Sequence, residues 1–242
     1  MQSLTNISLK TLVKKQVKWK AKLNISALSS LVIVQIIFAV LTSSFGSGSY
    51  GSGSGNLDVH FSIYSLDIFL IISAIWAFIV ALLFTAKAYR IDDLSVVSSR
   101  TSSTIANILV MIIYSFIAVI LMISTYYLQV LGILLVEKKS FVIDHLFISP
   151  SVFILCFSSI CLIGAIGLLF GTSLKGPLVI KLFLSTFILF SFIYIFMAPN
   201  SINLGSLIML PNIMISVLYL LVATLCFSLT IWIANKSEVS RK

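Results

Sequence analysis

Six strongly apolar stretches of spanning length, with no charge in their interiors, set what this chain can become. They are Ile25–Phe45, Leu66–Ala86, Ile105–Leu131, Ile148–Phe170, Pro177–Ala198 and Ile213–Ala234. Crossing ~30 Å of hydrocarbon takes about 20 mostly apolar residues in a helix. The third stretch is the longest, because its uncharged run continues to Val136. It predicts either a tilted helix or a break near Gly132. Of the 242 residues, 60% are hydrophobic and only 10% are charged. A water-soluble domain carries about a quarter charged residues, so lipid must serve as solvent here. The expected fold is all-α: a polytopic integral membrane protein with no room for a soluble catalytic domain.

Lysine and arginine counts orient the spans. Lys10, Lys14, Lys15, Lys18, Lys20 and Lys22 precede the first; Lys87, Arg90 and Arg100 follow the second. Lys175 and Lys181 flank the turn after the fourth, and Lys236, Arg241 and Lys242 close the chain. With six spans all of these fall on one side. The other side holds Lys138 and Lys139 beside Asp58, Asp67, Glu137 and Asp144. Both termini are therefore expected in the cytoplasm. The basic N-terminal region is too long for a cleavable signal peptide, and a bacterial plasma membrane is the expected location. The net charge of +9 sits at span ends, which points to anionic lipid rather than nucleic acid.

Three segments follow: residues 1–24, a basic cytoplasmic amphipathic helix; 25–234, a six-span transmembrane domain; and 235–242, a cytoplasmic tail. At ~100° per residue, Leu9, Leu12, Val13, Val17, Trp19 and Leu23 share one arc. Lys10, Lys14, Lys15, Lys18 and Lys22 share the other, and Lys20 breaks the sorting. That pattern predicts a helix lying in the membrane interface. The external stretch Gly46–Gly55, reading GSGSYGSGSG, predicts a flexible tether.

The spans lack Asp, Glu, Lys, Arg and His in their interiors. Ionisable groups in membranes mark proton relays and counter-ions, so carboxylate-coupled antiport is disfavoured. Enzymatic readings fare no better. His60 and His145, beside Asp58 and Asp144, lie in separate external loops without a metal-ligand spacing. Nucleophile elbows, zinc-protease motifs and phosphate-binding loops are missing. No catalytic, cofactor or metal residue is assigned. Cys156, Cys161 and Cys226 read as small buried hydrophobes. The polar groups read as interior are Ser115, Ser124, Thr125, Tyr126, Tyr127 and Gln129, with Ser158, Ser159, Ser185, Thr186, Thr224 and Ser228 elsewhere. These predict helix-to-helix hydrogen bonds. Gly164, Gly167 and Gly171 include a Gly-x-x-x-Gly spacing that permits close helix approach.

The loop KAYRIDDLSVVSSRTSSTIAN, residues 87–107, mixes charge with Leu94, Val96 and Val97. Asp92 or Asp93 suits the start of a short helix, and the Ser/Thr run offers N-caps for the third span. Residues 198–212, APNSINLGSLIMLPN, carry no charge and bracket an apolar piece with Pro199 and Pro211.

With these features the chain resembles the permease subunits of bacterial type 2 ABC transporters, which include drug, antimicrobial-peptide and polysaccharide exporters. The basic N-terminal helix resembles the family's connecting helix. The resemblance implies that Arg90, Asp92, Asp93, Leu94 and Arg100 form the ATPase-coupling loop. It implies a re-entrant segment around Pro199, Ile202, Leu207 and Pro211. It also implies a homodimer or a heterodimer with a similar permease, a separate ABC-type ATPase that binds ATP-Mg, and no catalysis in this chain. The cargo would be hydrophobic or amphipathic. A non-transporting binding protein, such as a bacteriocin-immunity or assembly factor, is the alternative.

Overall fold

The computed structural model describes residues 9–44, 49–53, 58–62, 66–86, 100–137, 148–174 and 211–239. These form six helices and one small hairpin: α1 (Leu9–Leu23), α2 (Ile25–Ser44), β1 (Ser49–Gly53), β2 (Asp58–Ser62), α3 (Asp67–Thr85), α4 (Arg100–Glu137), α5 (Pro150–Ser173) and α6 (Asn212–Val239). The expected span Pro177–Ala198 lies outside the described residues.

Four helical stretches are long and apolar enough to cross a membrane: Asp67–Thr85, Thr101–Gly132, Pro150–Ser173 and Asn212–Lys236. A fifth is added if α1 and α2, bent by 43° at their junction, count as one broken span. The chain is thus a multi-pass membrane protein by the length and composition of its helices. Their outward faces agree. On α3, Ile68, Ile71, Ile75, Ile79 and Leu83 are exposed, whereas Phe69, Ser73, Trp76, Ala77, Val80 and Ala81 face inward. Such a continuous apolar stripe has no place on a water-soluble surface.

One sequence expectation is corrected and two are refined. The Gly46–Gly55 tether is not simply loose chain, because Ser49–Gly53 pairs antiparallel with Asp58–Ser62, with Ser49 opposite Ser62 and Gly53 opposite Asp58. Main-chain groups make that ladder, so small side chains do not prevent it, and the fold is all-α apart from this hairpin. Of the two outcomes expected near Gly132, the continuous helix is found: α4 runs unbroken to Glu137. A helical glycine costs only ~1 kcal/mol relative to alanine, and Leu131, Ile133, Leu134 and Leu135 around it sustain the helix. Helix α4 begins at Arg100, within the Ser/Thr run, so Thr101, Ser102, Ser103 and Thr104 sit inside its first turns, while the cap candidates Ser98 and Ser99 lie outside the described residues.

The contacts fix helix directions. Gly167 meets Phe78 and Ala81, and Gly171 meets Thr85, so α3 and α5 run parallel. Met111 reaches Gly164, Phe116 packs edge-on against Phe157 and Phe153, and the Ile148 amide donates to the Tyr127 hydroxyl; α4 is antiparallel to α5. Gln35 lies beside Thr125 and Ala39 beside Gln129, making α2 parallel to α4. Helices α2 to α5 therefore alternate in direction, as successive crossings require. Among the described helices, α4 touches every other one. Its 38 residues make it ~57 Å long at 1.5 Å per residue, well beyond the hydrocarbon thickness.

The glycine spacing now has partners. A Cβ on Gly167 would stand 2.8 Å from Ala81 Cβ and 2.9 Å from the Phe78 carbonyl oxygen. Neither is the end of a flexible side chain, so α3 and α5 would have to separate. Gly167→Ala is expected to lower stability in detergent by about 1–3 kcal/mol, the usual cost of overpacking. Gly132→Ala, at an exposed position with no neighbour within 4 Å, is expected to be neutral or mildly stabilising. Thermal unfolding of both variants checks the pair, and equal effects would contradict the close approach.

Candidate functional site: the junction of α1, α3 and α4

Helix α1 presents three faces. Val13, Gln16, Lys20 and, beyond its end, Asn24 are buried, and Val17 is half-buried. This is one stripe at i, i+3/i+4 spacing, and it faces the bundle. Trp19 and Leu23 form an exposed apolar edge. Lys14, Lys15, Lys18 and Lys22 form an exposed cationic face. The sorting of the lysines thus has a physical cause. Four lie outside, and Lys20 lies in the packed stripe at 6% exposure.

Lys20 is held by α4. Its Nζ donates to Ser103 Oγ at 2.8 Å, to Asn107 Oδ1 at 2.6 Å and to the Ser103 carbonyl at 3.3 Å. An ammonium with three donors is thereby met by three oxygens. Asn107 uses its amide nitrogen on the Phe84 carbonyl, 3.4 Å away in the last turn of α3. One side chain therefore links α4 to α1 and to α3 together.

The end of α1 is closed by the same neighbourhood. Terminal helical carbonyls need outside donors. Lys20 O accepts from the backbone N and side-chain Nδ2 of Asn24, at 3.0 and 2.9 Å. Ala21 O accepts from the Tyr114 hydroxyl at 3.0 Å. The Asn24 carbonyl then accepts from Ala27 N at 3.0 Å, which starts α2. Trp76 donates its indole N–H to Ala27 O at 2.9 Å and stacks on Tyr114 at 6.3 Å between centroids, while Phe84 approaches Tyr114 at 6.0 Å. The bend between α1 and α2 is thus gripped by α3 and α4.

A second polar contact lies deeper. Gln35 is fully buried; its Nε2 donates to Ser73 Oγ at 2.9 Å, and its Oε1 lies 3.2 Å from Thr125 Oγ1. Ser73 passes its own proton to Phe69 O at 2.7 Å. Gln129 reaches Ala39 O at 3.5 Å. Most other hydroxyls do not bridge helices. Ser115, Ser158, Ser159, Thr224 and Ser228 donate to carbonyls three or four residues earlier in their own helix. Of the polar groups singled out in the sequence, Thr125, Tyr127 and Gln129 do reach other segments, and Ser185 and Thr186 lie outside the described residues. In apolar surroundings a hydroxyl's nearest acceptor is its own preceding turn.

Of the residues singled out in the sequence, Lys14, Lys15, Lys18, Trp19 and Lys22 share the outer faces of α1. Lys10 belongs to α1 and Arg100 opens α4, but the positions of their side chains lie outside the described set. Arg90, Asp92, Asp93 and Leu94 lie outside the described residues, as do Pro199, Ile202 and Leu207. Pro211 is exposed, and its carbonyl accepts from Met214 and Ile215 at 2.8 and 3.3 Å, starting α6. Cys156 and Cys161 are buried, Cys226 is half-buried, and all three are free thiols. Among the described residues no three His, Cys, Asp or Glu side chains gather as a metal site. Compared with known proteins, the chain matches no family model, no curated protein and no solved structure.

Two substitutions should move α1 in opposite directions. Lys20→Met leaves Ser103 and Asn107 without their donor and is expected to loosen α1 by about 1–3 kcal/mol. Gln16 is 5% exposed, and its side-chain oxygen has no hydrogen-bond partner among the described residues. Gln16→Met removes that buried acceptor and is expected to tighten docking by a similar amount. Tryptic cleavage at Lys14, Lys15, Lys18 and Lys22 reports local opening of α1. It should speed up in the first variant and slow in the second.

Proposed function

We propose that this chain is the membrane-spanning subunit of an ATP-driven exporter in a bacterial plasma membrane. It has six spans, both ends in the cytoplasm and α1 in the inner interface. A separate ATPase chain supplies hydrolysis, and a second permease copy or a similar chain completes the pathway. The cargo is hydrophobic or amphipathic, a peptide, antimicrobial or drug, in keeping with spans that lack ionisable groups in their interiors.

The observation that carries this reading is the Lys20–Asn107–Phe84 junction. The loop proposed for ATPase coupling leaves α3 just after Phe84 and enters α4 just before Ser103. Asn107 ties those two helix ends together, and Lys20 ties α1 to them. A partner gripping residues 90–100 would therefore displace α1, α3 and α4 as one unit. ATP-dependent closure of that partner would then bias the membrane conformation by differential binding to its two states.

The test is recovery of the partner. The tagged chain, purified in mild detergent from its native host, is expected to bring down a stoichiometric ATPase. Combined Asp92→Ala, Asp93→Ala and Arg100→Ala changes are expected to lower that recovery at least tenfold, given ~1.5–3 kcal/mol for charge-assisted hydrogen bonds. An ATPase-free preparation from a host expressing the neighbouring genes would instead favour a membrane protein that acts by binding alone.

A further inference from the structure

Among the described side chains of α1, one cation holds the helix and four are presented outward. Lys20 is committed to Ser103 and Asn107. Lys14, Lys15, Lys18 and Lys22 are exposed, and they border the apolar edge where Trp19 is 39% and Leu23 43% exposed. No acid occurs in α1 or anywhere in the chain before Asp58. In the described parts of α3 and α4, Asp67 and Glu137 stand at the ends far from the junction, and Asp92 and Asp93, in the segment between those helices, lie outside the described residues. At ~100° per residue the four lysines lie roughly opposite the docked stripe and the Trp19–Leu23 edge lies to one side of it, so both remain available while Lys20 stays bound.

We propose that this outer surface of α1 is a seat for anionic lipid headgroups. Its geometry suits that ligand. Trp19 and Leu23 enter the boundary between acyl chains and headgroups, and the lysines reach along the surface with their stems on apolar ground. An array of four separate lysine charges spread over about two turns of helix fits several headgroups side by side. An acidic protein surface would match the charge but would leave Trp19 and Leu23 facing water. The seat rests on the interfacial placement of α1 proposed above and is independent of any ATPase. Because Lys20 fastens α1 to α4, lipid held there steadies the end of the longest helix in the bundle.

The test uses the full chain alone in nanodiscs of phosphatidylcholine containing a minority of phosphatidylglycerol. Native mass spectrometry reads which lipids stay bound, and quenching of tryptophan by brominated phosphatidylglycerol or brominated phosphatidylcholine reads contact, with Trp19→Phe identifying the Trp19 signal. Phosphatidylglycerol is expected to be enriched over its bulk share. Enrichment should fall as salt rises and by about fivefold for each of Lys14, Lys15, Lys18 and Lys22 changed to Gln. In nanodiscs of phosphatidylcholine alone the four-lysine variant should melt like the parent, because Lys20 is untouched, whereas phosphatidylglycerol should raise the melting temperature of the parent only. Retention in bulk proportion, or enrichment unchanged in the four-lysine variant, would overturn the proposal. Quenching equal by both brominated lipids with no enrichment would reduce α1 to an apolar anchor. With no ATPase present, any of these failures leaves the exporter reading standing.

Discussion

Helices in hydrocarbon gain nothing from hiding apolar surface, because the lipid is as apolar as the partner helix. What draws them together is contact at short range, and here that depends on the small residues between α3 and α5. Gly167 lies against the Phe78 carbonyl and Ala81, and Gly171 lies against Thr85. Gly164 takes Met111 from α4 at the same level of the bundle. With this close parallel pair in place, α4 can lie across both helices and expose Leu109, Ile113, Phe116 and Ile120 outward. Larger residues at the glycines would move the surface on which α4 rests.

Packing of this kind does not by itself fix register, since Ile and Leu slide past one another at little cost. Register comes from a few polar contacts placed at different heights. Lys20 and Asn107 set the foot of α4 against α1 and α3. Gln35 sets its upper half against α2 and α3 through Thr125 and Ser73. Tyr127 touches the start of α5. A buried polar group in lipid has no water to fall back on, so each such contact opposes sliding more than a pair of methyl groups would. Sparse amide and ammonium contacts specify alignment, and glycine and apolar contacts specify distance.

The sequence made the helices legible and the junction only half so. Uncharged runs between lysines and arginines located α2, α3, α5 and α6 closely, because few arrangements other than a membrane helix accommodate twenty such residues. The length of α4 was harder. Gly132 looks like a stop, yet one glycine cannot overcome the helix formers on either side. The Ser/Thr run reaches past the helix start, and Ser102 and Ser103 within it serve packing and the contact to Lys20. On α1, Lys20 stood out as the one cation on the apolar arc. Gln16 four residues before and Asn24 four residues after fall on the same line, and that polar stripe was the available signal of a protein-facing side. Its target could not be read, because Ser103 and Asn107 lie more than eighty residues away. Gln35 was hidden for a similar reason. A lone amide in an apolar run carries no pattern until Ser73 and Thr125 are placed beside it.

The distribution of polar contacts along α4 also bears on how a force at the loop would spread. A helix held only by methyl groups yields locally when one end is pulled, and the displacement dies away within a few turns. Here the foot of α4 shares its load with α1 and α3 through Lys20 and Asn107, while Thr125, Tyr127 and Gln129 hold the other half. Between these points Met111, Phe116 and the glycines of α5 provide contacts that tolerate rotation without opening a gap, since methionine refits irregular surfaces. Polar restraint at both ends with an adaptable middle fastens α4 to its neighbours as a unit rather than turn by turn.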